Sequence, residues 1–240
     1  MVYEALLIPW LRRKDFAWAL AVPLALLVGL MLAWWYLVDE RMRQSLGWQG
    51  FFLYGGLFAL FFTLFAVACH RLVLLRSRPL SAIPRPRWSW RESRFLLWIV
   101  TVWLIYLAVW WVCIAVAANV WPRLGGDFTA SVKLIEFAGS IPALYVLARL
   151  SLVFPATAID RRPSFRWAWQ ASRGNGWRLV VVVAVLPWIV SHLVGLLYRD
   201  EPTVAETVLL TVFGTTLFAF EIAALSVAYR ELTRDDPAAA

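Results

Sequence analysis

Six long apolar runs, separated by short polar segments, dominate the chain. Each run is continuous, and about 20 apolar residues suffice to cross roughly 30 Å of hydrocarbon as a helix. The strands of a membrane β-barrel would instead alternate over segments of about ten residues. The pattern therefore predicts an all-α polytopic membrane bundle of six transmembrane helices, near Phe16–Val38, Phe51–His70, Phe95–Val120, Thr129–Ala148, Leu179–Tyr198 and Val204–Tyr229.

The composition supports this class of protein. Of the 240 residues, 62% are hydrophobic and 16% are charged, whereas a soluble domain has about 45–50% apolar and about 25% charged residues. These numbers argue against a soluble enzyme, a disordered chain and a disulfide scaffold. Both cysteines, Cys69 and Cys113, lie inside apolar runs. We therefore expect no metal site and no cofactor.

The basic residues are distributed unevenly between the two sides of the predicted membrane. Sixteen lie in the N-terminal segment, the loops 76–94 and 155–178 and the C-terminal tail, against five in the alternate loops. Positively charged loops stay in the cytoplasm, so both termini are expected there. The net charge of +8 is explained by this rule, and we expect no nucleic-acid partner.

An eight-residue pattern, R-W-x-W-x-x-S-R, occurs in both basic loops. Its copies begin at Arg87 and Arg166. An arginine also stands near the end of every second predicted helix. These positions suggest three parallel repeats, the hairpins 16–75, 95–154 and 179–229, between an interfacial segment 1–15 and a cytoplasmic tail 230–240. Alternatively, tryptophan and arginine simply gather at membrane interfaces. The residues concerned are Arg87, Trp88, Trp90 and Arg94, then Arg166, Trp167, Trp169 and Arg173, and the helix-end Arg71, Arg149 and Arg230.

We call the two loops 76–94 and 155–178 the basic rim. In the second loop, Pro163 can begin a short helix, and Gly174-Asn175-Gly176 would end it before Trp177 and Arg178. Such a segment, rich in Trp and Arg, is predicted to be a short amphipathic helix in the headgroup layer, where anionic lipids attract its cations. It serves either to bind lipid specifically or simply to anchor the chain.

Residues Arg149–Ala156 (R-L-S-L-V-F-P-A) and 168–178 (A-W-Q-A-S-R-G-N-G-W-R) together resemble the YciC-like group, multi-pass inner-membrane proteins of bacteria. They are also similar to the membrane domain attached to some glycerophosphodiester phosphodiesterases. The shared features are a helix-ending proline, a short amphipathic segment with a serine, and a polar turn before an aromatic residue and an arginine. The resemblance implies a six-helix bacterial inner-membrane protein. It supplies no catalytic residues, and we do not expect the phosphodiesterase activity here.

Glu221, with His70, is the candidate proton or cation site, because an ionisable residue inside the hydrocarbon is costly and commonly functional. A structural carboxyl, protonated or bonded to another helix, is the alternative. Motifs of hydrolases, nucleotide-binding proteins and metalloproteases are absent from the sequence. We therefore expect a non-enzymatic scaffold, accessory subunit or lipid-organising module that acts through the basic rim. A membrane-protein partner or a second copy of the chain would fit this function.

Two other functions stay open at this stage. The first is a small transporter or channel that uses Glu221, which requires a water-accessible cavity reaching this side chain. The second is an intramembrane enzyme acting on lipid, with Glu221 and His70 as acid and base, which requires both side chains in one pocket.

Overall fold

The structure, a computed structural model, describes residues 13–37, 40–75, 87–120, 128–196 and 203–234. The described residues are almost entirely helical and include no strand. Most of the predicted interfacial segment 1–15, residues 76–86 of the basic rim and residues 235–240 of the tail lie outside them. The elements are α1 (Arg13–Leu37), α2 (Glu40–Leu74), α3 (Trp90–Val120), α4 (Phe128–Leu150), α5 (Val153–Ala158), α6 (Phe165–Ala171), α7 (Gly176–Val180), a π-helical segment (Val181–Val185), α8 (Leu186–Gly195) and α9 (Val204–Leu232).

Four helical stretches within the described residues are long and apolar enough to cross a membrane. They are Gly47–Leu74, Trp90–Val120, Gly139–Ala158 and Val204–Leu232. Two shorter apolar stretches, Leu20–Trp34 and Gly176–Ile189, stand where the first and fifth spans are predicted. The all-helical architecture is confirmed and suits an integral membrane protein, whereas the number of spans stays a prediction.

The starts of two helices differ from the sequence prediction. Helix α2 begins at Glu40 instead of Phe51 and is kinked at Gly47, whose φ of 49° is readily adopted by glycine. Helix α3 begins at Trp90 instead of Phe95. Here the Ser89 backbone N–H donates to Glu92 Oε2 over 2.8 Å. The Glu92 carboxylate therefore accepts a hydrogen bond from a backbone N–H that has no partner inside the helix, and so helps to cap the start of α3.

A π-helical segment interrupts the fifth predicted span. The Leu186 N–H donates to the carbonyl oxygen of Val181, five residues earlier. Pro187 follows and has no N–H to donate. The Val182 carbonyl therefore lacks its regular partner within the helix. Single π-turns of this kind are frequent at functional sites.

The buried core lies in the half of the bundle nearest the basic rim. Helices α1 and α2 pack together, α3 packs against α4, and α9 crosses both α1 and α2. The fully buried side chains include Phe65, Leu72, Phe95, Leu152 and Val227. Towards the opposite end, large apolar side chains are exposed instead, among them Trp48, Phe52, Trp111 and Leu196. Exposed apolar surface of this extent is expected where lipid or another protein covers it.

Candidate functional site

The second loop of the basic rim contains the short helix that the sequence predicts. Helix α6 begins after Ser164, whose hydroxyl oxygen accepts the Trp167 backbone N–H over 3.1 Å. It ends at Ala171 with Ser172 as its C-terminal cap, and Gly174 then adopts a φ of 77°. This left-handed conformation favours glycine and turns the chain into α7. The location of α6 in a headgroup layer stays a prediction.

Arg149, at the end of α4, joins this loop to the bundle. Its side chain is almost buried, with 8% of the residue exposed. Nε donates to Ser172 Oγ over 2.9 Å, and Nη2 donates to the Trp169 carbonyl oxygen. The guanidinium also stacks 3.6 Å from the centroid of the Trp169 ring. Arg149 has no acidic partner among the described residues, so its bonds go to neutral groups.

Several aromatic and basic side chains of this loop lie on the surface. Trp169 is 41% exposed and Trp177 is 61% exposed, while the Trp177 ring packs 5.0 Å from that of Tyr145. Trp167 instead turns inwards against Tyr229, with the ring centroids 6.1 Å apart. The exposed arginines of the loop are Arg162, Arg166, Arg173 and Arg178. The loop therefore presents Trp rings beside an excess of positive charge.

The described end of the first loop, residues 87–94, is bound into an ion-pair network. Arg71 Nη1 donates to the Ala158 carbonyl oxygen over 3.0 Å and to Asp160 Oδ2 over 3.1 Å. Arg91 also reaches Asp160 Oδ2, at 3.3 Å, and pairs with Glu92 over 2.8 Å. Two arginines and two carboxylates thus balance one another and join the end of α2 to the start of α3 through the loop after α5.

The two copies of the R-W-x-W-x-x-S-R pattern differ in local structure. In the second copy, the serine Ser172 accepts a hydrogen bond from Arg149. In the first copy, Ser93 accepts one from Trp88 Nε1 over 3.1 Å, and the corresponding Arg71 binds elsewhere. The first copy also continues directly into α3, whereas the second forms the separate α6. Three equivalent hairpins therefore stay a prediction.

The helix-end Arg230 and the pattern residues of the first loop are less buried than Arg71 and Arg149. Arg230 Nη2 lies 3.4 Å from Glu231 Oε1 at the end of α9. Among the described pattern residues of the first loop, Arg87, Trp88 and Trp90 are exposed, and Arg94 is half-buried.

A second candidate site is a partly open cavity of about 190 Å³ inside the bundle. Helices α2, α3, α5 and α9 and the π-helical segment with Pro187 supply its walls. Most of the lining is apolar, and the two ionisable residues in it are His70 and Glu221. The structure thus brings together the two residues that the sequence analysis singled out as a proton or cation site.

His70 is held by a serine of α9. The Nδ1 atom lies 2.7 Å from Ser226 Oγ, and the Ser226 hydroxyl donates to the Ile222 carbonyl oxygen over 2.8 Å. Because that bond uses the hydroxyl hydrogen, Ser226 accepts from a protonated Nδ1. In the neutral imidazole, Nε2 then carries no hydrogen and can accept a hydrogen bond. The role of Ser226 could not be predicted from the sequence, because no local pattern relates residues 156 positions apart.

Glu221 lies deeper in the bundle than His70. It precedes Ser226 by five residues on α9, which corresponds to roughly 7–8 Å along the helix axis. The side chain is half-buried, and its carboxylate makes no hydrogen bond or ion pair with a described residue. An apolar cavity with an unpaired acid can hold a proton, a cation or a polar headgroup.

Comparisons with protein families, with curated proteins and with solved structures find no match to this chain. Within the described part of the chain, His, Cys, Asp and Glu side chains form no group of three that could hold a metal ion.

Proposed function

We propose that the chain is a six-helix protein of the bacterial inner membrane, with both termini in the cytoplasm, and that it is related to the YciC-like proteins. It acts without catalysis as a lipid-organising module, scaffold or accessory subunit. Its working surface is the basic rim, which binds the headgroups of anionic lipids.

The observation that carries this proposal is the segment Phe165–Arg178. It exposes Trp169 and Trp177 beside Arg166, Arg173 and Arg178, and buried Arg149 ties it to α4. Tryptophan rings favour the interface between headgroups and hydrocarbon. Each arginine near an anionic surface contributes about 1 kcal/mol of attraction. A fixed segment with both residue types suits lipid recognition better than a loose basic tail, because less conformational freedom is lost on binding.

The test compares thermal unfolding of the full chain in nanodiscs of phosphatidylglycerol and of phosphatidylcholine. Anionic lipid should raise the midpoint, because a ligand that binds the native state stabilises it. The triple substitution Arg166→Gln, Arg173→Gln and Arg178→Gln should remove most of this difference. The matched control changes the same three residues to Lys, which keeps the charge and should keep most of the difference. Equal midpoints for wild type in the two lipids would contradict the proposal.

A small transporter or channel is the second candidate function, supported by the cavity that reaches Glu221. Transport requires an access path to a polar group inside the hydrocarbon, and a fully packed bundle would not offer one. Flux of a substrate into liposomes that contain the purified chain, and its loss on Glu221→Gln, would test this function.

A further inference from the structure

The cavity between α2, α3, the π-helical segment and α9 has a definite chemical character. Three phenylalanines, Phe62, Phe95 and Phe154, contribute to its walls, and no Lys or Arg of the described residues lines it. Glu221 is the acid in this apolar setting and has no ion-pair partner in the described part of the chain. A carboxylate removed from water is costly unless a counter-charge or a proton accompanies it. The cavity therefore favours a ligand that brings positive charge to Glu221.

The size and the walls of the cavity indicate what carries that charge. A water molecule takes up about 30 Å³, so a cavity of about 190 Å³ has room for an organic group. Its apolar walls offer few hydrogen bonds to water, whereas phenylalanine faces attract cations. A bare metal cation would need several oxygen ligands, and the described residues hold no group of three or more His, Cys, Asp and Glu side chains that could supply them.

We propose that the cavity binds an organic cation with an apolar body, whose ammonium group lies beside Glu221 and whose apolar part packs against the phenylalanine rings. Among the described residues that line the cavity, the other titratable group is His70. In its neutral form, with Nδ1 donating to Ser226, it presents an acceptor nitrogen and adds no competing positive charge. This inference rests on the site of the second candidate function, but it concerns binding alone.

The experiment measures binding of radiolabelled benzyltrimethylammonium to the full chain in phosphatidylcholine nanodiscs by equilibrium dialysis, with empty nanodiscs as the blank. We expect saturable binding to one site per chain. Glu221→Gln should weaken the affinity about tenfold or more, because it removes the counter-charge. The matched control is Glu231→Gln, the same substitution on the same helix but at an exposed position, which should leave the affinity within about twofold.

A second variant separates loss of binding from loss of folding. Val183→Phe keeps Glu221 and fills part of the cavity that Val183 lines, so it should also weaken binding while the chain still unfolds cooperatively. A neutral probe of the same shape, 2,2-dimethylpropylbenzene, should compete at least about tenfold less well.

Three outcomes would overturn the proposal: no saturable binding by wild type, unchanged affinity in folded Glu221→Gln or Val183→Phe, or equal competition by the neutral probe. Transport is not measured in this assay. A chain that binds the cation without moving it across liposomes would contradict the transporter function only.

Discussion

Replacing Arg149 with alanine should release the segment Phe165–Arg178 from the bundle. The substitution removes the hydrogen bonds to Ser172 Oγ and to the Trp169 carbonyl oxygen and the stacking on the Trp169 ring. Each hydrogen bond from a charged donor is worth about 1.5–3 kcal/mol, and a desolvated cation–π contact is worth about 2 kcal/mol. Keeping a cation out of water without an acidic partner costs several kcal/mol. We therefore expect a net loss of about 2–3 kcal/mol in the stability of this segment.

Limited digestion with trypsin measures the effect, because Arg166 and Arg173 lie within the segment. When cleavage follows the population of the open state, a loss of about 2–3 kcal/mol raises the cleavage rate roughly 30- to 150-fold. The cleavage rate of Arg149→Lys should be close to that of Arg149→Ala, because an ammonium group cannot reproduce the planar guanidinium contacts. The control is Arg178→Lys, which keeps a trypsin site at an exposed residue that bonds to Asn175 over 3.1 Å and should leave the cleavage rate close to that of wild type. Cleavage of Arg149→Ala within about threefold of wild type would refute the anchoring role.

Two further substitutions test the packing of the basic rim. Gly176→Ala should destabilise the chain by about 1–3 kcal/mol, because an added Cβ would lie 2.7 Å from the Tyr145 ring, whereas Gly214→Ala meets nothing within 4 Å and should leave the unfolding midpoint in mixed micelles unchanged. Equal midpoints for both alanine variants would contradict this packing. Asp160→Asn tolerates the left-handed φ of 68° but removes the acidic partner of Arg71. A loss of about 1–2 kcal/mol in unfolding free energy is expected, and an unchanged value would show that the ion pair contributes nothing.

Local sequence signals account for much of the fold. The continuous apolar runs predict the helices, and Pro163 with Gly174-Asn175-Gly176 predicts the short helix of the basic rim. The early start of α3 also had a signal, since Ser89 and Glu92 have the spacing of a capping box. Hydrophobicity alone places that helix start at Phe95, because the continuous apolar run begins there.

The contacts between distant residues could not be predicted in the same way. Asp160 binds Arg71 across 89 positions, and Ser226 binds His70 across 156. No periodic pattern relates such residues, because helix packing alone decides which faces meet. Pro187 accounts for a local break in its helix, because it has no backbone N–H to donate, but the form of that break, a π-turn beside the cavity, depends on the packing of neighbouring helices.

Native mass spectrometry of the full chain, extracted from bacterial inner membrane, tests the central claim most directly. If the basic rim binds anionic headgroups, the wild-type chain should retain phosphatidylglycerol or cardiolipin. The Arg166→Gln, Arg173→Gln and Arg178→Gln triple variant should lose most of the retained lipid, and the corresponding Lys variant should keep it. Equal retention of anionic and zwitterionic lipid by wild type, or unchanged retention by the Gln variant, would contradict the claim.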